Sequence, residues 1–221
     1  MSDNPFGRNA QEEAEYRRHL WPGTDVLRNK LDIRNREELE RAERLIVSQR
    51  VEAGFPKDAH PSSYDGLKAM HRHMFQDIYD WAGQERKYTT GRGPAPFARP
   101  EFIAPTMNKL FEDLRAKNQL KGLDRRSFAQ EAAKAVNEIN AAHPFIDGNG
   151  RAQRQWLRAT AREAGHRFIL TRADIERWNA ASREGFHQSD APMAELIYDR
   201  TRTLSRQRSR SDRTRDSGRS R

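Results

Sequence analysis

The 221-residue chain has no cysteine, which removes any disulfide framework and any cysteine nucleophile. It also lacks long apolar runs. No stretch approaches the roughly eighteen to twenty apolar residues of a membrane-spanning helix. The opening MSDNPFGRNAQEEAEYRRHL has no apolar centre of the kind a signal peptide needs. A cytoplasmic protein without a membrane span is the expectation. Apolar residues make up only 35% of the sequence against 33% charged, yet a chain of this length still buries a real core. No internal repeat is present.

What is present is mostly helical patterning. Apolar spacing, caps and breakers predict helices over 10–20, 35–53, 62–80, 100–118, 124–141, 151–164, 171–185 and 190–204, with a single hairpin between the third and fourth. The charge is uneven: of the net +9, +6 falls in residues 202–221, which hold eight Arg and two Asp. An Arg/Ser tract of this kind cannot bury enough apolar surface to fold, so residues 205–221 are expected to be a disordered tail. Three readings of the tail are open: an inert solubilising extension, a non-specific nucleic-acid contact, or an export signal.

The densest chemistry lies in HPFIDGNGRAQR, residues 143–154. Upstream, Phe128, Ala132, Ala135 and Ile139 recur at helical spacing, so a helix should present His143 at its end, where Pro144 stops it. Downstream, RAQRQWLRATAREAG should form a second helix, with the Gly148-Asn149-Gly150 turn at its N-terminus. Free amides of a first helical turn attract anions, and glycines let a phosphate approach closely. Arg151 and Arg154, three apart, can lean over the same anion. Asp147 offers a hard oxygen to Mg²⁺, and His143 has the side chain suited to proton abstraction near neutrality.

Other residues read as ordinary structure. His71 and His73, two apart on a helix, face different ways and make a poor metal pair, and His60, His166 and His187 have no partner at ligand spacing. Trp81, Trp156, Trp178, Phe75 and Phe111 are expected in the core, as is the stripe Met107, Leu110, Phe111, Leu114. YTTGRGPAPFA, from Tyr88 to Ala98, reads as an irregular hairpin with an exposed edge.

The string 143–154 resembles in full the signature of the Fic family (filamentation induced by cAMP), His-Pro-Phe-x-Asp/Glu-Gly-Asn-Gly-Arg-x-x-Arg. Residues 38–50, 67–87 and 88–103 are similar to that family's first core helix, the helix leading to its flap, and the flap itself. The resemblance implies an all-α helical bundle with one β-hairpin flap over residues 25–204, preceded by an N-terminal extension, 1–24. It also implies a protein adenylyltransferase that moves AMP from ATP to a Ser, Thr or Tyr hydroxyl. On that pattern His143 is the base and Asp147 holds Mg²⁺. The amides of Gly148, Asn149 and Gly150 cradle phosphates, with Asn149 orienting the α-phosphate, while Arg151 takes the β- and Arg154 the γ-phosphate. Thr89, Thr90, Gly91, Arg92, Gly93 and Pro94 form the flap that pairs with an extended stretch of the target.

Further expectations follow from the resemblance. Targets in related toxins are type II topoisomerase subunits, and in exported relatives host GTPases. Basic C-termini occur in type IV secretion substrates, Fic effectors among them. Many members are restrained by a Ser/Thr-x-x-x-Glu-Gly/Asn helix whose Glu pairs with the second Arg of the motif. The nearest match, Ser48 to Ala53, has Ala at the last position and falls inside a core helix, so Glu52 is expected to be a surface or packing residue. A separate small antitoxin supplying the inhibitory Glu is therefore expected. Members using other donors transfer UMP, phosphocholine or phosphate; the phosphate-transferring branch has Lys where Gly150 stands and is disfavoured. A non-catalytic nucleic-acid or partner-binding protein on the same scaffold is opposed by the intact His, acid and two Arg.

Overall fold

The computed structural model describes residues 5–93, 95–187 and 189–204, except for the His187 side chain. The flap residue Pro94 and the Arg/Ser tail 205–221 lie outside the described residues.

Each of the eight expected helices is present: α1 Ala10–Arg18, α2 Arg36–Glu52, α3 Tyr64–Phe75, α4 Pro100–Ala116, α5 Arg125–Ala142, α6 Asn149–Glu163, α7 Asp174–Glu184 and α8 Ala191–Arg200. Their starts follow local chemistry. Asn9, Asn35, Ser63 and Asp124 cap α1, α2, α3 and α5 by accepting from first-turn amides. Pro100 opens α4, where no amide donor is required.

α5 is the central helix and packs against α4, α6 and α8. Its buried face includes Ala129, Ala132, Ala133, Ala135 and Ala142. Small side chains let the neighbouring helices approach closely around the larger Phe128, Val136 and Ile139. Trp156 on α6 is fully buried, edge-on to Phe111 at 6.1 Å, and donates its indole N–H to the Pro61 carbonyl at 2.9 Å. All the aromatic and apolar residues assigned to the core from sequence are there, except that Leu110 is partly buried.

Two small sheets are present among the described residues, against the single hairpin expected. The flap pairs β1 (Gly91–Arg92) with β2 (Ala95–Pro96), antiparallel. The second pairs β3 (His166–Phe168) with β4 (Thr201–Thr203), where the eighth helix was expected to run on to 204. α8 stops because Thr201 turns extended, and β3 then supplies its backbone partners. The third helix likewise ends at Phe75 rather than 80, before a run of turns over Gln76–Gly83.

Replacing Trp156 by Ala removes the largest buried ring and leaves the Pro61 carbonyl unpaired. A loss of about 3–5 kcal/mol is expected, measurable as a lower urea midpoint with unchanged helical circular dichroism.

Candidate active site

α5 delivers His143 as expected, in a strained geometry. The residue sits at the C-terminal end of the helix in the left-handed region (φ 45, ψ 61), while its amide still donates to the Ile139 carbonyl at 2.9 Å. A non-glycine residue stays there only if its surroundings hold it. Arg86 does so. Its fully buried guanidinium donates to the carbonyls of His143 (2.8 Å), Ala142 (3.1 Å), Tyr88 (2.7 Å) and Ala98 (2.5 Å), and its amide donates to the Pro144 carbonyl at 2.8 Å. Both ends of the flap segment are thereby fastened to the end of α5.

The His143 ring lies flat on Phe97, with centroids 3.6 Å apart and planes 6° from parallel. Its Nδ1 is buried, and the Asn140 backbone lies close enough to favour the protonated ring, which leaves Nε2 as the nitrogen open to a substrate. Burial, and then the charges of Arg86 and Arg92, push the imidazole down to about 3, so it is neutral at physiological pH and can accept a proton.

Gly148 begins α6 at φ +78, and a Cβ there would stand 2.5 Å from the Phe75 ring and 3.0 Å from His71 Nε2. Only glycine fits. Like α4, α7 and α8, α6 has no side-chain cap, and among the described residues the Asn149 and Gly150 amides have no protein acceptor. The Gly148 amide is not available in the same way, because it donates to Asp147 Oδ1 at 2.6 Å. Asn149 also has a task other than the one expected of its side chain. Its Oδ1 accepts from the Phe145 amide (2.9 Å) and its Nδ2 donates to the Phe145 carbonyl (2.8 Å), which closes the loop from within. Phe145 itself is buried and anchors the loop in the core.

Arg151 donates to buried Glu43 at 2.5 Å, and the other Glu43 oxygen accepts from the Tyr79 hydroxyl. Asp147 Oδ2 is 3.5 Å from Arg151, and its side chain is 48% exposed. Asp147 is the carboxylate here that could hold Mg²⁺, which takes one or two protein oxygens and completes its shell with water and phosphate. Among the described residues Arg154 makes no ion pair. Burial, then the charge of Arg151, push it down to about 10, and it lies 5.9 Å from the Trp178 ring. Glu52 is exposed and accepts from Ser48 on its own helix at 3.2 Å, well matched to the surface role expected of it.

Three supporting residues went unrecognised in the sequence: Arg86, Glu43 and His71. His71 is fully buried between Phe145 (3.9 Å) and Phe75 (4.6 Å). Its Nδ1 accepts from the Gly83 amide and its Nε2 donates to the Asp147 carbonyl, each at 2.9 Å. Burial chiefly, and the Arg151 charge, push it down to about 3, against the pull of the Asp147 carbonyl. Periodicity held a signal for two of the three. Glu43 sits four residues from Leu39 and from Val47, and His71 four from Leu67 and from Phe75, polar groups in register with apolar stripes. Arg86 lies in a loop, where no period marks it.

The flap residues divide. Gly91 and Arg92 form β1, and the Thr90 carbonyl accepts from the Phe97 amide across the hairpin at 2.9 Å. Gly93 takes φ +58 at the turn. Thr89 is buried, with its amide and hydroxyl on Glu12 (2.8 and 2.6 Å), so it offers a target no free donor.

Residues 61–160 match the Fic/DOC family. The chain is 38% identical over 178 residues to a probable protein adenylyltransferase of Sinorhizobium fredii, covering 80% of this chain and 92% of that protein. It is 34% identical over 183 residues to the probable protein adenylyltransferase Fic of Escherichia coli, covering 81% and 89%. The crystal structure of BepC, a VirB-translocated effector of Bartonella tribocorum with bound AMPPNP, superposes with a TM-score of 0.74 at 27% identity, covering 86% of this chain and 98% of that one.

His71 and His143 bind protons less readily in the folded chain than at the ordinary value of 6.5. Their contribution to stability is complete above that value and is lost as pH falls toward about 3, because the unfolded chain then binds more protons. Thermal midpoints should therefore drop steadily below about pH 6.5; a flat profile from about pH 7 to about pH 5 would contradict two neutral buried rings.

Proposed function

From the premise that the chain belongs to the Fic/DOC family and is a protein adenylyltransferase, we propose that His143 drives transfer of AMP from ATP to a Ser, Thr or Tyr hydroxyl of a target protein. The observation that carries this reading is a neutral imidazole with one usable nitrogen, joined by one short loop to a helix N-terminus left without a side-chain cap.

His143 Nε2 takes the hydroxyl proton while the hydroxyl oxygen bonds to the α-phosphorus. The bond from that phosphorus to its bridging oxygen breaks, and pyrophosphate leaves with the electron pair. The Asn149 and Gly150 amides cradle the phosphates, Arg151 holds the β-phosphate and Arg154 the γ. Positioning and charge supply most of the rate. Phosphate charge at the site also raises the affinity of His143 for the proton, offsetting Arg86 and Arg92. Asp147 would hold Mg²⁺, which would supply charge neutralisation at the phosphates.

The role we infer is that of a toxin or exported effector, with a type II topoisomerase subunit or a host GTPase as target. Arg154, without a carboxylate among the described residues, is supplied with one by a small antitoxin whose Glu takes the place of the γ-phosphate. BepC is translocated by a VirB system, which supports export by type IV secretion here.

His143→Ala should lower transfer by about a hundredfold to ten-thousandfold while AMPPNP still binds; near wild-type labelling of target protein by α-labelled ATP would overturn the mechanism. Glu43→Gln loosens Arg151 and should weaken nucleotide affinity about tenfold, read by calorimetric titration.

A further inference from the structure

The segment Phe6–Tyr16 lies against the flap, outside the stretch that matches the family. It is organised around one carboxylate. Glu12 Oε2 accepts from the Asn9 amide (3.2 Å) and Asn9 Oδ1 accepts from the Glu12 amide (2.9 Å), a reciprocal cap that fixes the start of α1. Glu12 Oε1 accepts the two bonds from Thr89 at the root of the flap. The Thr89 carbonyl accepts from Arg8 at 3.4 Å, and Arg8 is held by Glu13 at 2.8 Å and lies 4.1 Å over the Tyr16 ring. Tyr16 meets Tyr88 edge-on at 5.2 Å.

Phe6 completes the contact, since a Cβ added at Gly91 would run into its ring. The next residue, Arg92, is near enough to His143 for its charge to act on the imidazole. Successive residues of a strand face opposite sides, so Phe6 backs the hairpin on the side away from His143. The flap needs such backing. Two strands of two residues each hold no shape alone, and the polar backbone atoms of Thr89 are all bonded to α1 and its approach.

We propose that residues 6–16 are a strap that sets the height of the flap over His143, and that Glu12 is a positioning residue for the acceptor hydroxyl rather than for the nucleotide. The proposal rests on the reading of the flap as the target-docking edge.

The test uses the full chain as wild type, Glu12→Ala, Glu12→Gln and Phe6→Ala. Hydrogen exchange at the amides of 89–93 and 95, 97 reads the flap itself. Titration with AMPPNP reads the nucleotide site, and labelling of bacterial and eukaryotic cell lysates with α-labelled ATP, at rising lysate concentration, reads the acceptor. Glu12→Ala should speed flap exchange and raise the lysate concentration for half-maximal labelling by about tenfold or more, the effect of losing two ordinary hydrogen bonds. AMPPNP affinity should stay within about twofold and Glu12→Gln, which keeps an acceptor oxygen, should largely rescue both. Phe6→Ala leaves the cap of α1 intact and should loosen the flap in the same direction, so unravelling of α1 cannot mimic the result. Unchanged flap exchange in both alanine variants overturns the strap. Faster exchange with unchanged acceptor demand, or a fall in AMPPNP affinity equal to the loss of labelling, overturns the positioning role. A wild type that labels no protein refutes the transfer reading instead, while the exchange result still decides the strap.

Discussion

One buried cation holds the working parts together. Among the described residues the Arg86 guanidinium makes no ion pair; four carbonyl oxygens surround it, two from the end of α5 and two from the roots of the flap. Unpaired helix-end carbonyls carry partial negative charge, and a cation placed among them answers both its own desolvation and theirs. The left-handed turn at His143, the stack of its ring on Phe97 and the separation of flap from helix all depend on that arrangement. Arg86 also acts at a distance, since its charge helps keep the imidazole free of a proton.

Around this centre, polar groups take core positions to shape one loop. Asn149 closes the loop on Phe145, His71 fixes the Asp147 carbonyl, and Glu43 with Tyr79 steadies Arg151. Buried polar networks are costly unless each member is satisfied, and each of these has its partners. At the start of α6, by contrast, the chain leaves the Asn149 and Gly150 amides without a protein acceptor among the described residues.

Much of this was legible in the sequence, for reasons that can be stated. Helices announce themselves by period and cap, and the motif compresses base, glycines and arginines into one continuous string. The fold follows from such local signals wherever they run on for ten residues or more. β3 and β4 did not announce themselves, because three-residue strands carry no usable alternation and their pairing spans more than thirty residues of chain. Arg86 was illegible for a similar reason: its meaning lies in carbonyls distant in sequence. Glu43 and His71 were legible in principle, as charged or titratable side chains standing in apolar registers, a pattern better taken as a pointer to buried function than as noise.

The β3–β4 pair fixes more than a loose end of α8. Its last bond runs from the Leu204 amide to the Gly165 carbonyl at 2.9 Å, just beyond the C-terminus of α6. α6 spans fifteen residues, a rod about 22 Å long, and its other end is the turn at Gly148. Leu204 therefore ties down the far pole of the helix that opens at the motif, so α6 is held at both ends rather than cantilevered from its N-terminal turn.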